Sequence, residues 1–474
     1  MTGGIGGGPG DGSAGEFRDG LWAARRRPLT IGLTATITFV ASEALAVVTV
    51  MPLVARDLHG LGLYGFVFSA FLLGTIAGIV VAGRIADRRG PAPPYIGGLA
   101  LFAAGLAIAG LAPDMPVLIA GRAVQGLGAG AVPAVAYVAI GRSLPGRLRA
   151  SMMAVLSTAW VAPGLAGPAL AAEVARTFGW RWVFLGLLPF IALTGPLAIP
   201  ALARLGPPAG TAEDGHRLAD GILAAVTTGL LLGGLALATS RTLPGEPWGG
   251  CALAVAGCGL GVPVLRRLLP PGTLTARPGL PAVIASRSLL TFAFFGADAF
   301  VTLTITVVRH RSPVLAGVAV TGATLAWTAG AWIQARMNAR WEGRRLIRIG
   351  LAVVLGGIGG LALMLGRAAG LAAGIAAWTV AGLGMGIGYA PITLLTLREA
   401  PPGREGRASA SLNLADVLGS AVGIGLGGTA VSAAVSLGGT RALPAGVAVA
   451  LGLAAASAAT ALAISRRLPA GQAR

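Results

Sequence analysis

Long runs of apolar residues, each about the length of one membrane crossing, repeat along the whole chain and are separated by short polar stretches. A hydrocarbon core of ~30 Å needs a helix of about 20 mostly apolar residues. The pattern therefore predicts an all-α polytopic membrane protein with fourteen transmembrane helices, grouped as six, two and six. The predicted spans lie near 29–53, 63–83, 94–112, 116–140, 150–173, 181–203, 220–239, 248–265, 285–308, 313–335, 346–366, 371–396, 408–433 and 443–465.

The stretches rich in Gly and Pro indicate where the chain divides. They predict a disordered cytoplasmic N-terminus, two six-helix bundles, a linker region that carries the two extra helices, and a short cytoplasmic tail. The disordered N-terminus is expected at 1–24, the first bundle at 25–204, the linker region at 205–284, the second bundle at 285–466 and the cytoplasmic tail at 467–474.

The charged residues fix the expected orientation. Only 11% of the residues are charged, and the net charge is +19. With the N-terminus in the cytoplasm, 27 of the 36 arginines fall in cytoplasmic segments, 8 fall in outside loops, and Arg122 lies within a helix. This bias follows the positive-inside rule and predicts that both termini are cytoplasmic. The basicity is thereby explained by the lipid bilayer as partner, and no nucleic acid is expected.

The first six and the last six predicted helices resemble each other at an offset of about 256 residues. "FVASEALAVVTV" aligns with "FFGADAFVTLTI", which places Glu43 on Asp298 and Thr49 on Thr304. "GLGAGAVP" and "RASMMAVL" align with "GLGMGIGYAP" and "RASASLNL" in the same order. Many secondary transporters are built from two such halves, with the substrate bound where the halves meet.

The loop after the second predicted helix reads "GRIADRRG". It resembles the G-x-x-x-D-R-x-G loop of the major facilitator superfamily, at Gly83, Asp87, Arg88 and Gly90. The resemblance implies a cytoplasmic gating motif. Asp87 would face the positive N-terminal end of the helix that begins near Arg407, with Arg88 steadying it. The alternative is an ordinary basic turn.

The fourth predicted helix contains "GRAVQGLGAG", which is similar to the R-x-x-Q-G-x-G-x-G pattern of the same superfamily. A charge at the bilayer centre costs at least ~2.5 kcal/mol. We therefore expect Arg122 to face the bundle interior with Gln125, where both would tune the charge of a central cavity. The alternative is that Arg122 snorkels to the outer surface.

The fifth predicted helix contains "PGLAGPALAA", which resembles the antiporter motif of drug exporters. Pro168 removes one backbone hydrogen bond and can kink the helix, while Gly164 and Gly167 permit close packing. The closing Gly-Gly of the motif is replaced by Ala171 and Ala172, which weakens the implication of export.

Glu43 is the one ionisable residue in the apolar stretch "FVASEALAVVTVMPL". It lies nine residues before Pro52, a spacing similar to that of the acid in helix one of fourteen-helix drug:proton antiporters, which usually have Asp there. Proton coupling by Glu43 and Asp298 is the expectation. A structural ion pair between Glu43 and Arg122 is the alternative, and repeat symmetry alone could account for Asp298.

Two polar residues of the thirteenth predicted helix complete the candidate cavity. Asp416 lies where relatives often have a basic residue, and it is a candidate for binding a cationic substrate or a second proton. Asn413, one turn earlier, is a candidate hydrogen-bonding residue of the cavity.

The resemblance implies a proton-coupled exporter of amphipathic organic compounds in the inner (plasma) membrane, working as a monomer by alternating access. The proton motive force would drive it, so no cofactor is expected. Proton-coupled uptake of a small metabolite is the alternative, and a non-transporting membrane receptor is a remote one. No enzyme is expected, because His59, His216 and His310 fall in loops on different sides. No Cys or His pattern suggests a metal.

Overall fold

The computed structural model describes residues 20–24, 26–144, 146–159, 161–206, 216–239, 247–337, 340–366, 370–401 and 405–469. These residues form helices, turns and short connections, and none of them lies in a β-strand. Most of the predicted N-terminal segment 1–24 and most of the predicted tail 467–474 fall outside the described residues.

The first half begins with long helices and ends with a broken one. Pro189, Pro196 and Pro200 interrupt the last crossing, because proline cannot donate a backbone hydrogen bond. Short 3₁₀ turns lie at Leu61–Leu63 and Gly195–Ala198. The helices are α1 Arg27–Asp57, α2 Tyr64–Arg89, α3 Ala92–Gly110, α4 Met115–Ser143, α5 Gly146–Thr158, α6 Val161–Phe178, α7 Arg181–Leu185, α8 Leu188–Thr194 and α9 Ile199–Ala203.

The remaining helices are a pair followed by the second half. The pair packs closely, since a Cβ on Gly234 would lie 2.4 Å from the Ala254 nitrogen. The helices are α10 His216–Thr239, α11 Pro247–Leu268, α12 Leu280–Leu303, α13 Pro313–Met337, α14 Gly343–Ala362, α15 Leu371–Glu399, α16 Glu405–Gly438 and α17 Leu443–Ile464. A π-helical turn, Thr304–Val308, extends α12, and 3₁₀ turns lie at Thr273–Thr275, Leu363–Leu365, Gly439–Ala442 and Ser465–Arg467.

Twelve stretches of the described residues are long and apolar enough to cross a membrane. One of them, Arg407–Arg467, contains both α16 and α17. The predicted span 150–173 includes residue 160, which lies outside the described residues. A multi-pass helical bundle is therefore confirmed, while the count of fourteen and the side of the termini stay predictions. Several predicted ends were wrong: α12 begins at Leu280, not near 285, and α2 continues to Arg89, not to a residue near 83. Gly83, Asp87 and Arg88, which were predicted to lie in a loop, therefore belong to the last turns of α2.

Glycine-mediated helix contacts recur at equivalent places in the two halves. A Cβ on Gly126 of α4 would lie 2.0 Å from the Phe71 oxygen of α2, and one on Gly382 of α15 would lie 2.1 Å from the Ala323 oxygen of α13. Only glycine allows backbones to approach this closely. The predicted repeat thus corresponds to the same helix packing in both halves.

The two sides of the bundle differ in the helix ends that they hold. The arginine-rich side holds the end of α2, with Arg88 and Arg89, and the start of α14, with Arg344 and Arg345. The opposite side holds the end of α1 and the start of α2. The arginine-rich side is the one predicted to be cytoplasmic.

Candidate functional site

A charged cluster lies buried between α1 and α4. Arg122 Nη1 donates hydrogen bonds to Glu43 Oε1 and, at 2.6 Å, to Gln125 Oε1. Glu43, Arg122 and Gln125 are 0%, 2% and 0% exposed, and the guanidinium lies 4.2 Å from the centre of the Phe71 ring. The structure therefore places Arg122 inside the bundle against Glu43, and the snorkelling alternative does not apply to this arrangement.

The cluster uses only part of its hydrogen-bonding capacity. Glu43 Oε2, Arg122 Nε and Gln125 Nε2 are buried and have no partner among the described residues. Burying an ion pair costs desolvation energy that close contact only partly offsets. Whether the pair is a structural ion pair or takes part in proton coupling stays a prediction.

The equivalent acid of the second half has a different partner. Asp298 Oδ1 accepts a hydrogen bond of 3.2 Å from Trp378 Nε1. Trp378 is fully buried, and the Phe294 ring stacks on it with centres 4.9 Å apart. The repeat offset places Trp378 at the position of Arg122, so a neutral donor replaces the cation. No ion pair joins Asp298 to a described residue.

A third group of polar side chains, of which only Arg287 is buried, lies between α12, α15 and α16. Arg287 Nε donates to Asp416 Oδ1 at 2.6 Å, and Tyr389 Oη donates to Asp416 Oδ2 at 3.2 Å. The Arg287 guanidinium also lies over the Tyr389 ring, 3.0 Å from its centre, and donates to the Tyr389 carbonyl. Arg287 is only 3% exposed.

Sequence reasoning missed Arg287. With the helix expected to start near 285, Arg287 counted among the cytoplasmic arginines, whereas it lies within α12 and is buried. The signal that could have found it is Asp416, because a carboxylate in an apolar helix needs a compensating cation. Since Asp416 already has that cation, a cationic ligand would have to compete with Arg287. Asn413 lies exposed on the same helix, and its proposed role stays a prediction.

The two halves are joined by hydrogen bonds on the opposite side. Tyr64 Oη donates to the Ala299 carbonyl at 2.8 Å, and Thr302 Oγ1 donates to the Val48 carbonyl at 2.8 Å. Arg56 Nη2 donates to the carbonyl of Thr306, within the π-helical turn, at 2.9 Å. Deeper in the bundle, Ser69 Oγ donates to the Ala421 carbonyl at 3.1 Å. The halves are therefore closed against each other toward the opposite side.

The glycines and the proline of the antiporter-like motif lie where α6 meets other helices. A Cβ on Gly164 would lie 2.5 Å from Thr324 Cγ2 of α13, and one on Gly317 of α13 would lie 3.3 Å from the Pro168 oxygen. A Cβ on Gly167 would touch Leu45 of α1. The residues of this motif thus pack against α13 of the second half as well as against α1 of the first half.

The loop motif lies at the arginine-rich side. Gly90 has φ 84° and ends α2, a left-handed conformation that favours glycine. A Cβ on Gly83 would meet nothing within 4 Å. Asp87 and Arg88 are exposed and make no hydrogen bond or ion pair with a described residue. The predicted latch is therefore not engaged in this arrangement, and its role stays a prediction.

No three His, Cys, Asp or Glu side chains in the described part of the chain could hold a metal.

Sequence comparison relates most of the chain to membrane transporters. The profile of the Major Facilitator Superfamily matches residues 31–424. A probable multidrug-efflux transporter of Mycobacterium tuberculosis is 29% identical over 422 residues, which span 85% of this chain and 88% of the relative. The multidrug transporter protein MdtP of Bacillus subtilis is 32% identical over 181 residues, 38% of this chain and 33% of the relative.

Structural comparison supports the same fold. A bacterial homologue of the human lysosomal transporter Spinster, in an inward-facing and unoccupied conformation, matches with a TM-score of 0.62 at 15% identity, covering 94% of this chain and 98% of that one. A D-xylose-proton symporter matches with a TM-score of 0.60 at 16% identity, covering 94% and 97%. At such identities the likeness concerns the fold alone. With the profile match, the repeat and the motif residues in place, the chain belongs to the Major Facilitator Superfamily of transporters.

Proposed function

We propose that this protein exports amphipathic organic compounds by proton antiport across the inner membrane. The observation that carries the proposal is the pair of intramembrane carboxyl groups at equivalent positions of the two halves, the buried Glu43 and the partly exposed Asp298. The relatives that match over most of the chain are named as probable multidrug-efflux transporters, which favours export over uptake. The proton motive force would supply the energy, without a cofactor.

The two carboxyl groups differ in what protonation does to the buried charge. Protonating Glu43 would leave the Arg122 cation buried without a counter-charge. Protonating Asp298, which contacts a neutral Trp378 N–H, would leave no charge behind. On this charge balance Asp298 takes up a proton without leaving a cation alone, whereas Glu43 takes one up only when another group compensates Arg122. A lone buried charge is far more costly than a neutral group.

Alternating access would proceed from the arrangement described above, which we interpret as inward-facing. Opening to the outside requires that the bonds made by Tyr64, Thr302 and Arg56 break. Closing the arginine-rich side would bring Asp87 toward the start of α16, where the helix dipole favours a negative charge. Small differences in these contacts would then decide which side is open.

The substrate class follows from the side chains between Asp298 and Asp416. Phe295, Trp327 and Tyr389 are partly exposed and form an aromatic cluster with the buried Phe294 and Trp378. Such faces suit an amphipathic organic molecule with an apolar body. Few polar side chains are available to hold a sugar.

The driving force is sufficient for useful export. Moving one charge across 100 mV yields ~2.3 kcal/mol, and a tenfold gradient costs about 1.4 kcal/mol. One proton therefore sustains roughly a fiftyfold concentration ratio of a neutral substrate.

The test is proton release from inverted membrane vesicles whose lumen has been acidified, read with a pH-sensitive dye. Lipophilic cations, neutral antibiotics and anionic amphiphiles are added in turn to wild type, Glu43→Gln and Asp298→Asn. Glu173→Gln is the matched control, because it makes the same chemical change at an exposed carboxylate.

Release in wild type and in Glu173→Gln, with loss in Asp298→Asn and Glu43→Gln, is the expected result. Release that persists in both carboxyl variants would contradict coupling through these residues. Substrate movement in the opposite direction would favour proton-coupled uptake. Binding without any transport would favour a receptor.

A further inference from the structure

A groove of about 730 Å³ runs between α14 and α17 on the surface of the second half. Its walls are apolar along the helices, and three arginines lie at its arginine-rich end. The lining residues are Arg345, Arg348, Ile349, Ala352, Ala459, Leu462, Ala463 and Arg466. The groove is remote from the carboxyl groups of the proposed transport path, and nothing in the transport cycle described above uses it.

The three groove arginines differ from the arginines beside them. The side chains of Arg345, Arg348 and Arg466 are exposed and make no hydrogen bond or ion pair with a described residue. By contrast, Arg344 donates to the Leu468 carbonyl at 3.5 Å, and Arg467 donates to the Thr275 carbonyl at 2.9 Å. The fold thus uses the neighbouring guanidinium groups in its own structure and leaves these three facing the groove.

The surroundings add to the positive potential at this end. The Arg345 guanidinium lies over the Trp341 ring, 4.2 Å from its centre, which fixes one face of the planar group. Both Arg345 and Arg348 lie in the first two turns of α14, where the helix dipole is positive. A Trp beside arginines at the end of a crossing is typical of the level of the lipid headgroups.

We propose that this groove binds an anionic phospholipid. The phosphodiester would lie against Arg345, Arg348 and Arg466, and an acyl chain would run along Ala352 and Ala459 toward the membrane centre. Guanidinium groups bind phosphate oxygens in pairs of parallel hydrogen bonds, and basic pockets between transmembrane helices suit such headgroups. A free anion would use the arginines but would leave the apolar walls uncovered.

Charge and shape together select this occupant. A zwitterionic lipid would bring its own cation close to three arginines, whereas a phosphatidylglycerol headgroup carries only the negative charge. The small side chains of Ala352 and Ala459 leave the width that a chain of methylene groups needs. Both elements of the site come from the second half, so binding would stabilise the contact between α14 and α17.

The experiment measures lipid binding to the purified full-length protein by native mass spectrometry. Phosphatidylglycerol, phosphatidylethanolamine and inorganic phosphate are offered separately. Arg348→Gln is compared with Arg398→Gln, which removes an exposed arginine at the same side of the bundle but outside the groove. The triple variant Arg345→Gln, Arg348→Gln and Arg466→Gln then tests the whole cluster.

Wild type and Arg398→Gln should retain phosphatidylglycerol in preference to phosphatidylethanolamine. Each groove arginine should be worth about fivefold in affinity, and the triple variant should bind at least tenfold more weakly. Equal retention of both lipids by wild type, or unchanged binding by the triple variant, would overturn the proposal. So would displacement of the lipid by millimolar inorganic phosphate, which would indicate a free-anion site.

A second variant keeps the proposal testable if the triple variant does not fold. Ala459→Phe keeps all three arginines but fills the apolar part of the groove. Weaker lipid binding by this variant, with phosphate binding unchanged, supports a seated acyl chain. Unchanged lipid binding would contradict it. The result is independent of transport, since proton release from vesicles is measured separately.

Discussion

The two halves of the molecule carry a carboxyl group within a helix at the same point of the repeat, yet they surround it in opposite ways. In the first half Glu43 contacts a cation, Arg122, which also donates to Gln125. In the second half Asp298 contacts the neutral indole N–H of Trp378. The second half places its cation elsewhere, at Arg287, where it pairs with Asp416.

This difference bears on the proposed coupling, because protonation of the two carboxyl groups would leave different charges behind. Protonating Glu43 would leave Arg122 without a counter-charge, whereas protonating Asp298 would leave no cation alone. Environments that separate two acids in this way are the usual means of dividing roles between them. The equivalent positions are therefore expected to contribute differently to coupling.

The halves also break their first helices differently. α1 contains Pro52 within a regular helix, whereas α12 changes to a π-helical turn at Thr304–Val308, the equivalent stretch. The π-helical turn presents the Thr306 carbonyl to Arg56 of the first half. Short π-helical segments are frequent at functional sites, and this one lies where the halves are joined.

The largest effect is expected from removing the cation of the first half. Arg122→Ala leaves the Glu43 carboxylate buried without a partner, which should cost about 3–5 kcal/mol in the free energy of unfolding. Adding Glu43→Gln to Arg122→Ala should recover much of that loss. Chemical unfolding of the purified variants measures both, and an Arg122→Ala protein as stable as wild type would contradict the buried pair.

The equivalent change in the second half should cost less. Trp378→Phe removes one neutral hydrogen-bond donor from Asp298, and we expect about 1–3 kcal/mol. Asp298→Asn in the same protein should not worsen the loss, since no cation is left unpaired. A cost equal to that of Arg122→Ala would show that the two halves are more alike than their contacts indicate.

A close contact between the halves offers a steric test. A Cβ on Gly65 would lie 2.4 Å from Gly428 Cα, so Gly65→Ala must push the halves apart on the opposite side, at about 1–3 kcal/mol. Gly97→Ala is the control, because its Cβ would meet nothing within 4 Å. Spin-label distances across the opposite side should lengthen in Gly65→Ala alone, after replacement of the exposed Cys251 and Cys258.

Loss of one hydroxyl group that joins the halves, that of Thr302, should act more weakly. Thr302→Val removes the donor to the Val48 carbonyl, worth about 1 kcal/mol, and should shift the balance about fivefold toward opening on the opposite side. Thr379→Val is the control, since Thr379 donates only within its own helix. The same spin-label distances report the shift, and equal populations in both variants would exclude a gating role for Thr302.

The smallest effect on stability is expected at the loop motif. Asp87→Asn should change the free energy of unfolding by less than about 0.5 kcal/mol, because the Asp87 side chain is exposed and makes no hydrogen bond or ion pair with a described residue. Transport should nevertheless fall if Asp87 acts only when the arginine-rich side closes. Substrate transport equal to that of wild type would argue against the latch.

The sequence by itself determined the helical membrane fold, the repeat and the position of its acids. Apolar runs of bilayer length admit few structures other than helices, because backbone groups in lipid must be satisfied within the segment. The motif residues Arg122 and Gly90 were also predictable, since a buried cation and a left-handed turn each restrict the residue type. The aligned positions of Glu43 and Asp298 followed from the repeat alone.

Only the tertiary structure decided which side chains meet. Arg287 and Asp416 are 129 residues apart, and no periodicity links them. The same holds for Trp378 with Asp298, and for the three arginines that share the groove between α14 and α17. The hydrophobic pattern predicts which segments lie in the membrane, but it does not predict which face of each helix packs against which neighbour. The partners of the buried charges depend on that rotation and therefore on the packing of the whole bundle.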